Sequence, residues 1–403
     1  MIENKKRVFV TTNGCPRRRL DSSRLDNFFK INGWVVVRAP EEADYIIFVT
    51  CSFKQDKEEY CLSRIKEFLK YRGELIVAGC LPDIAGDRLK EIFNGKIIRT
   101  ANLDKIDTLF DDFKVKFEDI PDTHLLYGIY FSWRQWLSLN LGIGKNFFTN
   151  CLTYGSYLLK NIRLGPKAYL RISRGCPERC AYCTITLAVG DLKSKKIQVC
   201  LREYRRLLQR GYRNIVLLAD NLGAYGLDCG SSLSELLESL AEADERSLAR
   251  WDIRDLHPKW VIRYQEVLLK YISQGKVTSM ICAIQSGSNR ILELMNRMHR
   301  IEEIAEVFAR FREKQPGLFL STQLIFGFPS ETEEDFQATL RAIERIGFNF
   351  IMLYPYYDGQ GSLSSGMSGK LGQEVIFSRL KRAVAFLQNK GIFCAIDEVS
   401  SGK

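Results

Sequence analysis

Histidine is nearly missing from this chain, whose 403 residues include three: His124, His257 and His299. A metal site built on imidazole would have to draw on that small set, and no Asp-x-His-x-x-Gly run of the kind that binds cobalamin occurs. Met1 to Thr12 has basic residues but no long apolar core or cleavage site behind them, so export is not expected. No uninterrupted apolar run reaches the roughly 20 residues that a membrane-spanning helix needs. With 46% hydrophobic and 27% charged residues, the composition argues against disorder and for a globular chain with room for two domains. The twelve cysteines therefore read as thiols kept for metal in a reducing cytoplasm, not as disulfides.

Three of those cysteines stand within eight residues as Cys176-Pro177-Glu178-Arg179-Cys180-Ala181-Tyr182-Cys183, after the apolar stretch 168–173 and the pair Arg174-Gly175. Thiolates at CxxxCxxC spacing can hold three irons of a 4Fe-4S cubane, which leaves the fourth iron open to chelate a small molecule. A zinc knuckle competes, but it requires a fourth ligand close by, and none of the three histidines is near the motif.

The first 120 residues alternate strand and helix signals, with strand runs at 7–11, 34–37, 45–49 and 75–78 and helices from about 21 to 31 and 56 to 71. This rhythm predicts a doubly wound parallel sheet. Cys15, Cys51 and Cys80 each fall just after a strand, and although 36 and 29 residues separate them, strand ends in an open α/β sheet share one edge. The three can converge as a second metal site; the competing reading for any single one is a buried core thiol. Cys61, Cys151, Cys200, Cys282 and Cys394 take that core reading, and Cys229 in its Gly-flanked loop is left open.

Residues 123–165 break the rhythm with Leu125-Leu126-Tyr127-Gly128-Ile129-Tyr130-Phe131-Ser132-Trp133, but Arg134, Gln135, Ser138 and Asn140 interrupt any span. Packing across a domain junction and an amphipathic cover for a groove, partner or membrane surface both fit. From 166 to 362 strands at 214–218, 277–282, 319–325 and 350–354 alternate with helices, which predicts a partial or full (β/α) barrel with chemistry at the C-terminal strand ends. Asp220-Asn221, Gln285-Ser286 and Gly327 lie just past such ends. Ser330 to Glu333 reads as a helix capping box, whereas Gly327 reads as a place where backbone approaches a ligand. Residues 363–403 read as a helical tail. Residues 163–210 hold twelve Lys and Arg against three Asp and Glu, a field that suits either a phosphate backbone or a solvated helix face beside a negatively charged cluster.

In combination these motifs resemble the radical S-adenosylmethionine (SAM) enzymes and, through the upstream cysteines, their methylthiotransferase branch. The matching stretches are Val10-Thr11-Thr12-Asn13-Gly14-Cys15 with Asp21-Ser22, Thr50-Cys51, Gly79-Cys80, Leu218-Ala219-Asp220-Asn221 with Tyr225-Gly226, Gln285-Ser286-Gly287-Ser288 with Met295-Asn296-Arg297, and Gly327-Phe328-Pro329-Ser330-Glu331-Thr332. The resemblance implies two 4Fe-4S clusters. Cys176, Cys180 and Cys183 would hold the one whose open iron chelates SAM, and Cys15, Cys51 and Cys80 the auxiliary one. Tyr182 would lie near the adenine, with Asp220, Asn221, Gln285, Ser286 and Gly327 lining the SAM pocket. It further implies an external electron donor such as flavodoxin or ferredoxin. One SAM would methylate sulfur at the auxiliary cluster, and reductive cleavage of another would give the 5′-deoxyadenosyl radical that opens a C–H bond for methylthio. Neither step requires a protein acid or base, so scarce histidine is no objection.

The departures are equally specific. Arg18 stands where the family usually has Asn, and Thr186 and Val189 where it has Pro and Arg after the last cluster cysteine. The C-terminal RNA-binding β-barrel of tRNA-modifying members is not found, and the 123–165 insert is longer and more apolar than the usual linker. These features direct the expectation toward a peptide, protein or natural-product substrate, with tRNA as the alternative. A cobalamin-type radical SAM methylase and a non-catalytic iron–sulfur protein that binds nucleic acid remain the competing classes.

Overall fold

The computed structural model describes residues 5–125 and 166–397, with side chains of 123–125 excepted. Its N-terminal sheet has five parallel strands in the order β2-β1-β3-β4-β5: β1 Arg7–Thr12, β2 Val35–Val36, β3 Tyr45–Thr50, β4 Glu74–Gly79 and β5 Lys96–Arg99. Period-2 alternation splits the strand residues between two faces. Val8, Ile47, Val49 and Ile76 pack with Phe28, Phe29, Phe110 and Phe113 on one side, and Ile46, Phe48 and Val77 with Cys61, Ile65 and Phe68 on the other. Both faces are covered, as a doubly wound parallel sheet requires. Sequence patterning misses β5, whose Lys96-Ile97-Ile98-Arg99 is mostly exposed.

The second sheet has eight strands, β15-β14-β13-β12-β11-β10-β7-β6. Seven are parallel: β7 Lys167–Arg171, β10 Asn214–Leu218, β11 Arg250–Leu256, β12 Val277–Cys282, β13 Phe319–Phe326, β14 Phe350–Pro355 and β15 Phe393–Ile396. β6, Thr123–Leu125, pairs antiparallel with β7. A short hairpin of β8 Ser173–Arg174 and β9 Lys193–Ser194 brackets the CxxxCxxC loop.

Three expectations are corrected. The helix expected in 363–403 is present as Gln373–Asn389, but the segment is not helical throughout: the helix packs Ile376, Leu380, Ala383 and Leu387 into the barrel core, and β15 then extends the sheet past β14. β11 was not expected because Asp252 and Arg254 interrupt the apolar run that a buried parallel strand ordinarily shows. Asp252 is nonetheless buried, held by Lys167 at 2.8 Å and Arg254 at 2.8 Å. The capping box belongs to Thr332 and Asp335, not to Ser330, whose φ of 66° lies outside any helix. Beyond Leu125, the aromatic insert lies outside the described residues, as does Cys151.

Buried charge and apolar contact join the two sheets. Helix α1, Pro16–Ile31, carries Leu20 against Tyr169, Val216 and Leu218 of the barrel. Asp21, one residue on, binds Arg171 at 2.6 Å and Arg174 at 2.9 Å. Asp122 meets Arg174 at 3.4 Å and Arg171 at 3.6 Å.

Candidate functional site

Cys15, Cys51 and Cys80 follow β1, β3 and β4, which are neighbours in the sheet, so register alone brings the three to one edge. Cys15 caps α1, with Pro16 at the first helical position where its missing N–H is harmless. Its sulfur therefore lies at the positive end of a helix. A hydrogen bond from the Cys51 thiol holds Cys15 well below the usual thiol range, with Arg17 and Arg18 assisting against the effect of burial. Asn13 fixes the Cys51 loop by accepting from Cys51 N at 3.0 Å, while its amide donates to Cys61 Sγ at 3.2 Å. Cys61 in turn donates to Cys51 O at 3.3 Å, so this core thiol supports the triad. Gly79, at φ 101°, has Thr50 O only 2.3 Å from where a Cβ would stand, which explains the close approach of β3 and β4 just before Cys80.

Cys176, Cys180 and Cys183 are partly exposed on one loop. The turn is tied internally by Cys183 N to Cys180 O at 3.0 Å, and externally through Ala181, whose N–H reaches Met295 O at 2.9 Å and whose carbonyl accepts from Ser364 N at 2.8 Å. Gly175 opens the loop at φ 80°, where a Cβ would lie 2.0 Å from Asp191 O. Burial pushes the Cys176 thiol up to about 12, opposed by a hydrogen bond from Asn221 Nδ2 at 3.7 Å. Burial and the neighbouring Cys180 also raise Cys183. Among the described residues no three His, Cys, Asp or Glu side chains gather tightly enough for a single metal ion. A cubane spreads its thiolates over separate irons, and so sets a looser requirement on the sulfurs.

The remaining expected site residues divide. Tyr182 is fixed by Arg297, whose Nη1 donates to the phenol oxygen at 2.9 Å and to Cys180 Sγ at 3.5 Å. Asp220 accepts from Gly175 N at 2.9 Å. Asn221 gives its amide to Glu178 Oε1 at 3.2 Å, yet its own buried Oδ1 has no partner. Gln285 sits at φ 67°, a costly conformation for a non-glycine residue, and its buried Oε1 also lacks a partner. Ser286 differs: its hydroxyl lies 3.3 Å from Thr339 Oγ1 and accepts from Ser288 N at 3.1 Å, which commits it to the barrel wall. Gly327 has a packing role, because at φ 85° its missing Cβ leaves room for Ile376 of the last barrel helix, 2.3 Å from that point.

Several residues escaped sequence reading. Arg17 reaches from the first domain to Asp220 at 3.2 Å and Asp255 at 2.6 Å. Asp255 has φ 58° at an irregularity in the β11–β12 register, a device that re-aims a side chain. Glu178, within the cysteine loop, is held by Lys259 at 2.6 Å and Trp260 Nε1 at 3.2 Å. His257 and His299 lie ring to ring at 5.6 Å, and burial with Arg297 nearby holds both below the ordinary imidazole value. A left-handed Asp or a domain-bridging Arg has no local sequence signature; the Arg17-Arg18-Arg19 run beside Cys15 was the one available signal.

A parallel partial barrel with a three-cysteine loop after its first strand, preceded by a doubly wound domain with three cysteines on one sheet edge, defines a radical SAM enzyme with a second cysteine site. Residues 170–343 match the Radical SAM superfamily and residues 7–98 match Uncharacterized protein family UPF0004. The tRNA-2-methylthio-N(6)-dimethylallyladenosine synthase of Thermotoga petrophila is 30% identical over 98% of this chain and 84% of its own length. The ribosomal protein uS12 methylthiotransferase RimO of Thermotoga sp. strain RQ2 is 27% identical over 92% of this chain and 80% of its own length. The chain belongs to the radical SAM methylthiotransferase family and is an enzyme of that class. Among solved structures, the radical S-adenosylmethionine methyltransferase TsrM from Kitasatospora setae superposes with TM-score 0.59 over 87% of this chain and 73% of its own, at 12% identity. That likeness is one of fold. No helix among the described residues is long and apolar enough to cross a membrane.

Proposed function

We propose that this methylthiotransferase replaces a C–H hydrogen of a peptide, protein or natural product by a methylthio group, with Cys176, Cys180 and Cys183 on the SAM-binding 4Fe-4S cluster and Cys15, Cys51 and Cys80 on the second. Two observations on the chain's own residues suit those groups. Each triad consists of thiols alone, the donor set of a cubane with one open iron, and the buried Asn221 Oδ1 and Gln285 Oε1 are acceptors without donors. A bound amino or hydroxyl group of SAM would satisfy them. When bound, the clusters and SAM supply the electron, the hydrogen abstraction and the methylated sulfur. The chain's task is placement: Arg297 orients Tyr182 and donates to Cys180, Asn221 donates to Cys176, and Asp220 holds the loop at Gly175.

The acceptor assignment is carried by where the basic stretch spends its charge. Lys167 pairs with Asp252 at 2.8 Å, Arg171 with Asp21 at 2.6 Å, Arg174 with Asp21 at 2.9 Å and Lys195 with Glu203 at 2.7 Å. These four cations are committed to carboxylates within the protein and are not free for a phosphate track. The tRNA reading keeps two observations in its favour, the names of several relatives and the seven exposed cations Arg179, Lys193, Lys196, Arg202, Arg205, Arg206 and Arg210 of the same stretch. The relatives act, by their names, on tRNA or on ribosomal protein uS12.

Anaerobic turnover with SAM and an external reductant, followed by mass spectrometry of candidate peptides and of bulk tRNA from a modification-deficient host, separates the readings. Methylthio on a peptide or protein residue is expected. Methylthio on tRNA overturns the acceptor assignment. Binding gives a parallel check, since six to ten phosphate contacts would cost roughly 10³ to 10⁵ in affinity between 50 and 200 mM salt, and no such tRNA affinity is expected.

A further inference from the structure

Arg18 occupies the position where the resemblance leads one to expect Asn, and its side chain is 2% exposed. Its Nη1 donates to Cys80 Sγ at 3.6 Å and to Thr100 Oγ1, while Nε faces Asp21 Oδ2 at 3.0 Å. Asp21 does not cancel this charge alone, because Arg171 and Arg174 share the same carboxylate. Asp21 and Asp122 between them face five cations, Arg18, Arg24, Arg171, Arg174 and Lys195. Glu203 pairs with the last of these, so three carboxylates answer five cations in this network, and Arg18 is the member whose guanidinium reaches Cys80.

We propose that Arg18 is a positioning and charge-setting residue for the cluster held by Cys15, Cys51 and Cys80, donating to the Cys80 sulfur and favouring the one-electron-reduced, more negative state of that cluster. Hydrogen bonds to ligand sulfurs, local charge and solvent exclusion are the quantities that set iron–sulfur potentials, and all three act here through one guanidinium. Buried away from water, its charge is poorly screened. Asn at this position would supply a neutral hydrogen bond at most, so the upstream cluster of this chain takes an electron from a given reductant more readily than it would beside Asn.

The inference rests on the reading that these cysteines hold a cluster, and the test separates the two. The starting protein is the full chain with Cys176→Ala, Cys180→Ala and Cys183→Ala, reconstituted anaerobically so that only the upstream cluster is present. Lack of iron in that protein overturns the cluster reading before Arg18 is touched. With iron present, a dithionite titration against redox mediators, followed by electron paramagnetic resonance of the reduced cluster, gives the midpoint potential. Arg18→Gln is expected to shift the reduction equilibrium at least tenfold toward the oxidised form, about 59 mV for one electron. Asp21→Asn removes the anion facing Arg18 and is expected to shift it the other way. A potential unchanged by Arg18→Gln at full iron content overturns the proposal. If Arg18→Gln takes up no cluster, Asp21→Asn decides: a higher potential supports the proposal, and the same or a lower one overturns it.

Discussion

Arg17 Nη1, on helix α1 of the first domain, lies 2.6 Å from Asp255 Oδ2, on strand β11 of the barrel. Arg17 is two residues past Cys15, and the Asp220 it also binds accepts from the N–H just before Cys176. One side chain thus ties the two cysteine loops to each other. The Cys80 helix packs Ile84 and Cys80 on Ala188, in the helix that follows Cys183, which gives the tie a second, apolar strand.

Arg17→Ala is therefore expected to cost about 3 kcal/mol, the low end for breaking a mostly buried pair, since it strands two carboxylates. Because the loops would lose their common anchor, methylthio product should fall more than 5′-deoxyadenosine formation. Thermal melting and the ratio of the two products, measured in one anaerobic preparation, check both parts; equal loss of the two products would show that Arg17 does not couple the sites.

Two independent thiol triads predict two cubanes, about eight irons per chain after anaerobic reconstitution. Cys176→Ala, Cys180→Ala and Cys183→Ala together should retain about half of that iron and make no 5′-deoxyadenosine. Replacing Cys15, Cys51 and Cys80 should spare reductive SAM cleavage and abolish sulfur transfer. Iron assay and product chromatography suffice for both.

Gly175→Ala should be disproportionately harmful for a single methyl group. It forces an L-residue to φ 80° and presses Cβ against a backbone oxygen, Asp191 O, that has nowhere to retreat. A loss above about 1 kcal/mol is expected, together with iron content falling toward that of the upstream site. A variant with normal iron and normal melting would contradict this account of the loop.

The paired histidines predict a pH dependence. Burial, reinforced by Arg297, holds His299 down to about 3 and depresses His257 as well, against an unfolded value near 6.5. A base whose folded pKa is lowered binds fewer protons folded than unfolded, so stability is lost as pH drops below about 6.5, by up to roughly 1.4 kcal/mol per pH unit for each ring. Neither His299 ring nitrogen has a partner, so His299→Phe should fold and flatten the dependence. Urea midpoints at pH 7.5 and 5.5, compared between the two proteins, measure it.

Legibility in the sequence followed how local each signal was. The two cysteine sets, the doubly wound rhythm and strands such as Asn214–Leu218 and Val277–Cys282 were readable because spacing and periodicity are carried by neighbours along the chain. β11 was hidden because its buried Asp252 is matched by Arg254 on the same strand and by Lys167 from another, a pairing that only the fold reveals. The packing of Gly327 was not legible because the Ile376 that fills its space lies 49 residues later in the chain. Arg17, Asp255 and Arg297 act across the domain boundary or at bulges and left-handed turns, where meaning comes from the fold.

The antiparallel pairing of Thr123–Leu125 with β7 sets how the aromatic insert is attached. Leu125 lies opposite Ala168, so the chain leaves the barrel edge and rejoins it at adjacent rungs of one ladder. Antiparallel neighbours of this kind can be joined by as few as two to five residues. The entropic cost of closing such a loop rises slowly with its length. Insertions, deletions or exchanges between β6 and β7 therefore leave the strand order of both sheets, and with it both cysteine edges, as they are.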